Sequence, residues 1–200
     1  MSRRNPLLIA IFLVAVPLAA LTPNSQAPDF KGTDSNGTTH TLSQYKGKYV
    51  VLEWANKGCP YDQKHYLSGN MEGLQKQWTD KGVVWLSVLS SAPGEQGSVT
   101  PAEENQYLKT MKAAPTAALL DPNGAIARLY EAKTTPHIFV IDPTGKLIYQ
   151  GAIDDKPTTD QADIKTARNY LNEALDAAMA GRQVTTASTR PYGCSVKYKD

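Results

Sequence analysis

The sequence predicts an α/β domain: a central mixed sheet with helices on both faces, an N-terminal extension and a C-terminal tail. Three observations predict it. Short β-prone apolar runs alternate with segments whose apolar residues recur at helical spacing. The last two runs are separated by Asp142-Pro143-Thr144-Gly145, a hairpin turn that makes the final strand pair antiparallel. No internal repeat or linker divides the 200 residues, a length that suits one domain with additions.

Each element has its own signal. Residues 27–48 are turn-rich, and Asn36-Gly37 reads as a hairpin turn between short strands around Phe30 and over Thr39–Leu42. The run Tyr49–Trp54 is β-prone, continuous and too short for a helix, so it reads as a central strand. From Asn70, Met71, Leu74 and Trp78 mark a helix that Lys81-Gly82 stops. Val83–Leu89 is the next strand. Thr100-Pro101-Ala102-Glu103 is a capping box with proline at the first helical position, opening a helix to about Ala113. Thr116–Leu120 is a short strand, and Asp121 caps a brief helix within residues 123–132. His137–Ile141 and Lys146–Ile153 flank the hairpin turn. Gln161–Met179 reads as one long amphipathic helix through Ile164, Ala167, Tyr170, Leu171 and Leu175, ending near Gly181.

The first 21 residues are different material. Arg3 and Arg4 precede an uncharged run from Leu7 to Leu21, 15 residues long where a membrane span needs about 20. A basic start, a short apolar stretch and small residues near Ala19 and Ala20 read as an export signal, or as an uncleaved anchor. The expected organisation is therefore a signal or anchor over 1–21, a domain over 26–180 and a tail over 181–200. Both arginines of the leader count among the 21 basic side chains, and it holds none of the 19 acidic ones. The rest of the chain carries no formal net charge, and no basic cluster tracks a phosphate backbone; a nucleic-acid partner is not expected.

The two cysteines, Cys59 and Cys194, lie 135 positions apart. Cys59 follows the central strand where a helix begins. Orphan N–H groups and the helix dipole favour its thiolate there, which is the nucleophilic form. Pro60 has no N–H to waste in a first turn. The neighbours Asn56, Lys57, Gly58, Tyr61, Asp62, Gln63 and Lys64 are polar, unlike the wall of a core. Thr135-Pro136 stands directly before a strand, where a cis proline would leave the Thr135 backbone free to pair with an extended substrate. Glu53, His65 and His137 are candidate proton relays. Asp62 reads only as a first-turn acid. The histidines match no short metal motif, so no metal is expected, and the absence of a Gly-rich phosphate loop points to no organic cofactor.

Three stretches, Ala27–Phe30, Tyr49–Asp62 and Leu119–Asp154, together resemble the thioredoxin-like redoxins, the branch holding alkyl hydroperoxide reductase and thiol-specific antioxidant proteins and the membrane-facing thiol:disulfide interchange proteins. The resemblance covers about Gln26 to Met179 and implies a thioredoxin-like fold. In that family the first active-site cysteine begins a helix after the central strand, as Cys59 does, and Pro136 matches the family's cis proline. The chain also departs from the family. A disulfide interchange protein has a second cysteine where Asp62 stands, and a peroxiredoxin has proline and threonine where Leu52 and Asn56 stand. The ending Tyr192-Gly193-Cys194-Ser195-Val196-Lys197 is similar to that of a peroxiredoxin-like branch.

The resemblance implies peroxiredoxin-like antioxidant activity with Cys194 as resolving thiol. The expected mechanism has a Cys59 thiolate in a shallow surface pocket attacking a peroxide oxygen or a disulfide sulfur, with Asn56 and the backbone N–H groups after Gly58 orienting the substrate. Two alternatives stand beside it: thiol:disulfide interchange without peroxidase activity, and a non-enzymatic exported binding or assembly module with a structural disulfide. The expected partners are a peroxide or protein disulfide and an external thiol reductant, in the periplasm, at a membrane facing it, or secreted.

Overall fold

The computed structural model describes residues 21–199. Nine strands and five helices follow in the order β1 (Lys31–Asp34), β2 (Thr39–Thr41), β3 (Val50–Trp54), α1 (Pro60–Leu67), α2 (Asn70–Thr79), β4 (Val84–Leu89), α3 (Pro101–Met111), β5 (Ala117–Leu120), α4 (Ala125–Leu129), β6 (Thr134–Thr135), β7 (His137–Ile141), β8 (Leu147–Gly151), α5 (Tyr170–Met179) and β9 (Cys194–Ser195). Seven strands form one sheet in the order β2-β1-β5-β4-β3-β7-β8, and β6 pairs with β9 apart from it. Strands β3, β4 and β5 run parallel, while β7 is antiparallel to both β3 and β8. This is a thioredoxin-like α/β fold.

Alternation along β3 sorts its side chains between two cores. Val50, Leu52 and Trp54 join Leu86, Val88, Phe139, Ile126 and Tyr130 on the α4 face. Val51 joins Trp85, Ile138 and Val140 beneath α2 and α5, whose Met71, Leu74, Trp78, Leu171 and Leu175 cover that face. Both faces of β3, β4 and β7 are therefore buried, as a strand without polar alternation requires. Edge strand β8 alternates buried and half-buried residues.

Local chemistry closes the ends. Thr100 and Glu103 form the capping box at the start of α3. Asp121 does cap α4, but from a distance: Gly124 is the residue at the cap, while the Asp121 carboxylate accepts from the backbone N–H of Ile126 and Ala127. It also accepts from Ser90 Oγ, which accepts from Trp54 Nε1, tying α4 to the end of the central strand.

The long helix expected over Gln161–Met179 is two pieces: a 3-10 segment at Gln161–Thr166 and α5. The break has a backbone cause. Residues 168–170 pair with 153–155 through Asp155 N–H to Arg168 O and Tyr170 N–H to Ile153 O. Those groups are then unavailable to a continuous helix, and Asn169 caps α5 afresh.

The patternless tail is ordered by backbone pairing. It runs beside β8, where Gln150 exchanges hydrogen bonds with Ala187 and Thr189. It crosses β6 as β9, and Val196 N–H then bonds Lys133 O. Tyr198 ends it against Ala132 O and under the Arg128 guanidinium.

Because Asp121 closes one end of α4 and the Trp54–Ser90 chain together, Asp121→Ala leaves several buried donors unpaired. It is expected to lower the unfolding free energy by about 2 kcal/mol in urea denaturation.

Candidate active site at Cys59 and Cys194

Where β3 ends, the loop 55–58 folds back on itself. Asn56 Oδ1 accepts from Gly58 N–H at 2.8 Å, and Asn56 Nδ2 donates to Gln96 O at 3.1 Å. The chain then enters α1 with Cys59 at its N-cap and Pro60 first inside. Cys59 is the cap residue of an eight-residue helix, at the positive end of its dipole.

From the other side, the Thr135-Pro136 peptide is cis, as expected, and presents Thr135 O to the sulfur. Cys59 Sγ donates to that oxygen at 3.0 Å. The tail closes the third side: Cys194 pairs with Thr135 and Ser195 with Thr134 in antiparallel register. Gly193, at φ 135°, lies so close to Thr135 O that a side chain there would collide with it. Both cysteines are free thiols.

This geometry corrects the expectation of a shallow surface pocket. Cys59 is 0% exposed, because the tail covers it. Neither is Thr135 an open edge awaiting a partner chain, since β9 already occupies it.

The sulfurs act on each other. Burial pushes the Cys59 thiol up, but hydrogen bonding from Cys194 and from the Asp62 N–H outweighs it and holds Cys59 below the ordinary cysteine value. Cys194 moves the opposite way: burial, then the hydrogen bond to Cys59 and its charge, push it up to about 12. One sulfur of the pair is thus favoured as nucleophile and the other as thiol.

Tyr192 fastens the tail to α1. Its hydroxyl donates to Asp154 Oδ1 at 2.5 Å and meets His65 Nε2 at 3.2 Å, and its ring lies edge-on to Tyr61. Asp154 also faces Lys64 Nζ at 3.5 Å, and Lys64 donates to Lys156 O. Lys64, His65 and Asp154 are all at least 98% buried. A groove of about 600 Å³ opens beside this latch, lined by Tyr61, Asp155, Tyr170, Arg190 and Gly193.

The structure brings Cys59, Cys194, Thr135 and Pro136 together. The other candidates have different settings. The Asn56 amide is engaged at both ends, its oxygen by Gly58 N–H and its nitrogen by Gln96 O. Glu53 points to the α2 face, its carboxylate filled by four donors: Tyr66 Oη, Gln75 Nε2, Trp85 Nε1 and Ser87 Oγ. Burial nevertheless raises its pKa. His65 belongs to the tail latch, and burial lowers it to about 4. His137 packs on Phe139, accepts from Lys133 N–H and is lowered by burial to about 3. Neither ring bonds a sulfur. Among the described residues, no group of three or more His, Cys, Asp or Glu side chains is placed to hold a metal.

Asp62, expected only as a first-turn acid, is instead sealed inside the protein. It is 0% exposed and accepts from Asn56 N–H through Oδ2, while Oδ1 has no partner. Its position, three residues past a helix-capping cysteine, was the available signal.

A family model described as the AhpC/TSA family matches residues 23–150. Thiol-disulfide oxidoreductase ResA of Geobacillus kaustophilus (strain HTA426) is 29% identical over 127 residues, covering 58% of this chain and 73% of that one. A putative thiol:disulfide interchange protein DsbE from Chlorobium tepidum has a solved structure that is 26% identical, with a TM-score of 0.54, covering 66% of this chain and 85% of that chain. The hypothetical protein SMc02350 from Sinorhizobium meliloti 1021 is similar in fold, with a TM-score of 0.76 at 21% identity, covering 90% of this chain and 97% of that chain.

Two predictions follow from the burial of this region. Tyr192→Phe removes a hydrogen bond to a carboxylate, and alkylation of Cys59 by iodoacetamide is expected to quicken about tenfold. Glu104, buried with Oε2 unpartnered, is pushed by burial to about 7 from 4.5. Its contribution is fully present below the ordinary value and lost as pH rises through the folded one. Glu104→Gln should therefore stabilise the fold by about 2 kcal/mol near pH 8 and not near pH 4, in paired denaturation curves.

Proposed function

The chain belongs to the AhpC/TSA family, and from that premise we propose that it is a thiol:disulfide oxidoreductase working through Cys59 and Cys194. The observation that carries the reading is the register that sets Cys194 opposite Thr135, whose carbonyl also holds Cys59. The partner cysteine missing from α1 is supplied by the tail. The likeness to proteins described as thiol-disulfide oxidoreductase and thiol:disulfide interchange protein supports it further.

In this reading the tail lifts and the Cys59 thiolate attacks a disulfide of a partner protein. One substrate sulfur leaves and a mixed disulfide remains. Cys194 then returns along the Thr135 edge and displaces the second substrate sulfur, closing Cys59–Cys194. An external thiol reductant restores the dithiol. Before Cys194 returns, the Thr134–Thr135 edge next to Pro136 is free to pair with the substrate backbone.

Peroxide reduction is a second reading, favoured by the family itself. A sulfenic acid on Cys59 would condense with Cys194 to the same disulfide. The engagement of the Asn56 amide, and Leu52 where peroxiredoxins carry proline, weigh against it.

Export is proposed from Arg3, Arg4 and the apolar run after them, which lie outside the described residues up to residue 20; the domain and tail boundaries at 26–180 and 181–200 belong to the same proposal. Among the described residues, no helix is long and apolar enough to cross a membrane.

The test pairs two assays on the reduced protein: reduction of a model protein disulfide, and consumption of hydrogen peroxide. Disulfide reduction is expected, lost in Cys59→Ser and stalled at a trapped mixed disulfide in Cys194→Ser. Faster peroxide turnover than disulfide turnover would overturn the order of the two readings. The Cys59–Cys194 couple should also titrate well above about −300 mV; a value below that marks a structural bridge and sinks the enzymatic reading.

A further inference from the structure

Two buried carboxyl groups stand near Cys59, and their surroundings differ. Glu53 has both oxygens taken: Oε1 by Tyr66, Oε2 by Gln75, Trp85 and Ser87. A carboxylate so bound has little freedom to exchange a proton. Asp62 has one oxygen held by Asn56 N–H and the other held by nothing, in a residue that is fully buried. A buried polar atom without a partner calls for an explanation. Asp62 lies in the first turn that Cys59 caps, and its own N–H favours the Cys59 thiolate. The buried carboxyl group thus shares the first helical turn with the Cys59 that caps it.

We propose that Asp62 is the proton exchanger of the Cys59–Cys194 pair, neutral while Cys59 is a thiolate and ionised once Cys59 is part of a mixed disulfide. The inference rests on the disulfide-exchange reading above. Each half-reaction balances. In the first, the Cys59 thiolate bonds to one substrate sulfur and the substrate disulfide breaks; the other sulfur leaves with the electron pair and takes the Asp62 proton. In the second, the Asp62 carboxylate takes the proton of the Cys194 thiol. The Cys194 sulfur then bonds to Cys59, and the remaining substrate sulfur leaves as a thiolate. The substrate disulfide has gained two electrons, the dithiol has lost two, and Asp62 is again protonated.

The electrostatics run in the same direction. Burial, then the charge of Cys59, then that of Glu53 hold the Asp62 carboxyl well above the ordinary carboxylate range. Forming the mixed disulfide removes the Cys59 charge, so the acid becomes a base at the step where the reluctant Cys194 thiol needs one. The titratable groups facing Asp62 are Cys59 at the start of α1, Glu53 on β3, Tyr66 on α1, Tyr107 on α3, and Tyr192 and Cys194 on the tail.

Rapid mixing of the reduced full chain with a chromogenic aryl disulfide tests this. The unsubstituted protein should release aryl thiolate in two phases, the first from attack by Cys59 and the second from displacement by Cys194. An aryl thiolate leaves without needing a proton, and asparagine keeps the shape of the neutral acid. Asp62→Asn should therefore keep the first phase, slow the second by roughly 10²-fold, and remove the carboxyl ionisation from its pH profile. A second phase with unchanged rate and pH profile overturns the role of Asp62 and leaves the exchange reading standing. The absence of any first phase in the unsubstituted protein overturns both.

Cys194→Ser, which retains Asp62, gives an independent readout. Its infrared difference spectrum should lose a protonated-carboxyl band when Cys59 is converted to the aryl adduct. A band that persists refutes the proposal even if Asp62→Asn does not fold.

Discussion

Two residues of antiparallel pairing, Cys194 and Ser195 against Thr135 and Thr134, hold this site together. The pairing depends on Gly193, because only glycine fits against Thr135 O with a positive φ. It depends on Tyr192, just before Gly193, whose hydroxyl is tied to the buried Asp154 carboxylate beside α1. Cys59 sits beneath, donating to the same Thr135 carbonyl. One backbone position thus fixes both sulfurs, and the redox chemistry proposed for them depends on whether the tail is down.

The surroundings of the pair are unusually acidic for a buried place. Glu53, Asp62 and Glu104 are each at least 98% buried, and burial raises all three. A thiolate is poorly tolerated among carboxylates, whereas neutral carboxyl groups leave room for one negative charge. Hydrogen bonding from Cys194, and then from the Asp62 N–H at the helix start, favours that charge on the Cys59 sulfur. Charge in the site is therefore competitive: burial and then the charge of Cys59 raise the Asp62 carboxyl, and in the proposed exchange this links proton position to redox state.

Much of the fold was legible because its signals are local. The strands of the central sheet read as short apolar runs, the Thr100–Glu103 box marked α3, and the Asp142–Gly145 turn forced β8 antiparallel to β7. The break before α5 was not legible. It arises from pairing with residues 153–155, a tertiary demand that overrides the apolar spacing of Ile164, Ala167 and Leu171. In the site, Cys59 was marked by the strand–turn–helix context and Cys194 by its flanking turn and apolar residues. Burial was not marked. Polar neighbours in sequence made Cys59 look surface-facing and Asp62 look like a solvated first-turn acid. Cys59 lies beneath a tail more than a hundred positions away, and Asp62 is fully buried in the turn that follows it, neither of which sequence spacing reveals.

The placement of Asp62 also bears on why the second cysteine lies in the tail. Two cysteines in one helical turn keep their sulfurs together in every state, so such a pair needs no moving part. Here that position holds a carboxyl group and the partner sulfur arrives on a strand made of only two residues. So short a strand is weakly held by its own ladder and relies on Tyr192, Val196 and Tyr198 at its flanks. In the proposed exchange, lifting it would uncover Cys59 and the Thr135 edge at once, and lowering it would return Cys194 to the Cys59 sulfur it must attack. Substrate access and resolution then become alternative positions of one segment. A mixed disulfide with a partner chain on that edge can be resolved only when the partner's strand gives way to β9. The competition between two strands for one carbonyl edge would order the steps, with Asp62 holding the proton in the interval.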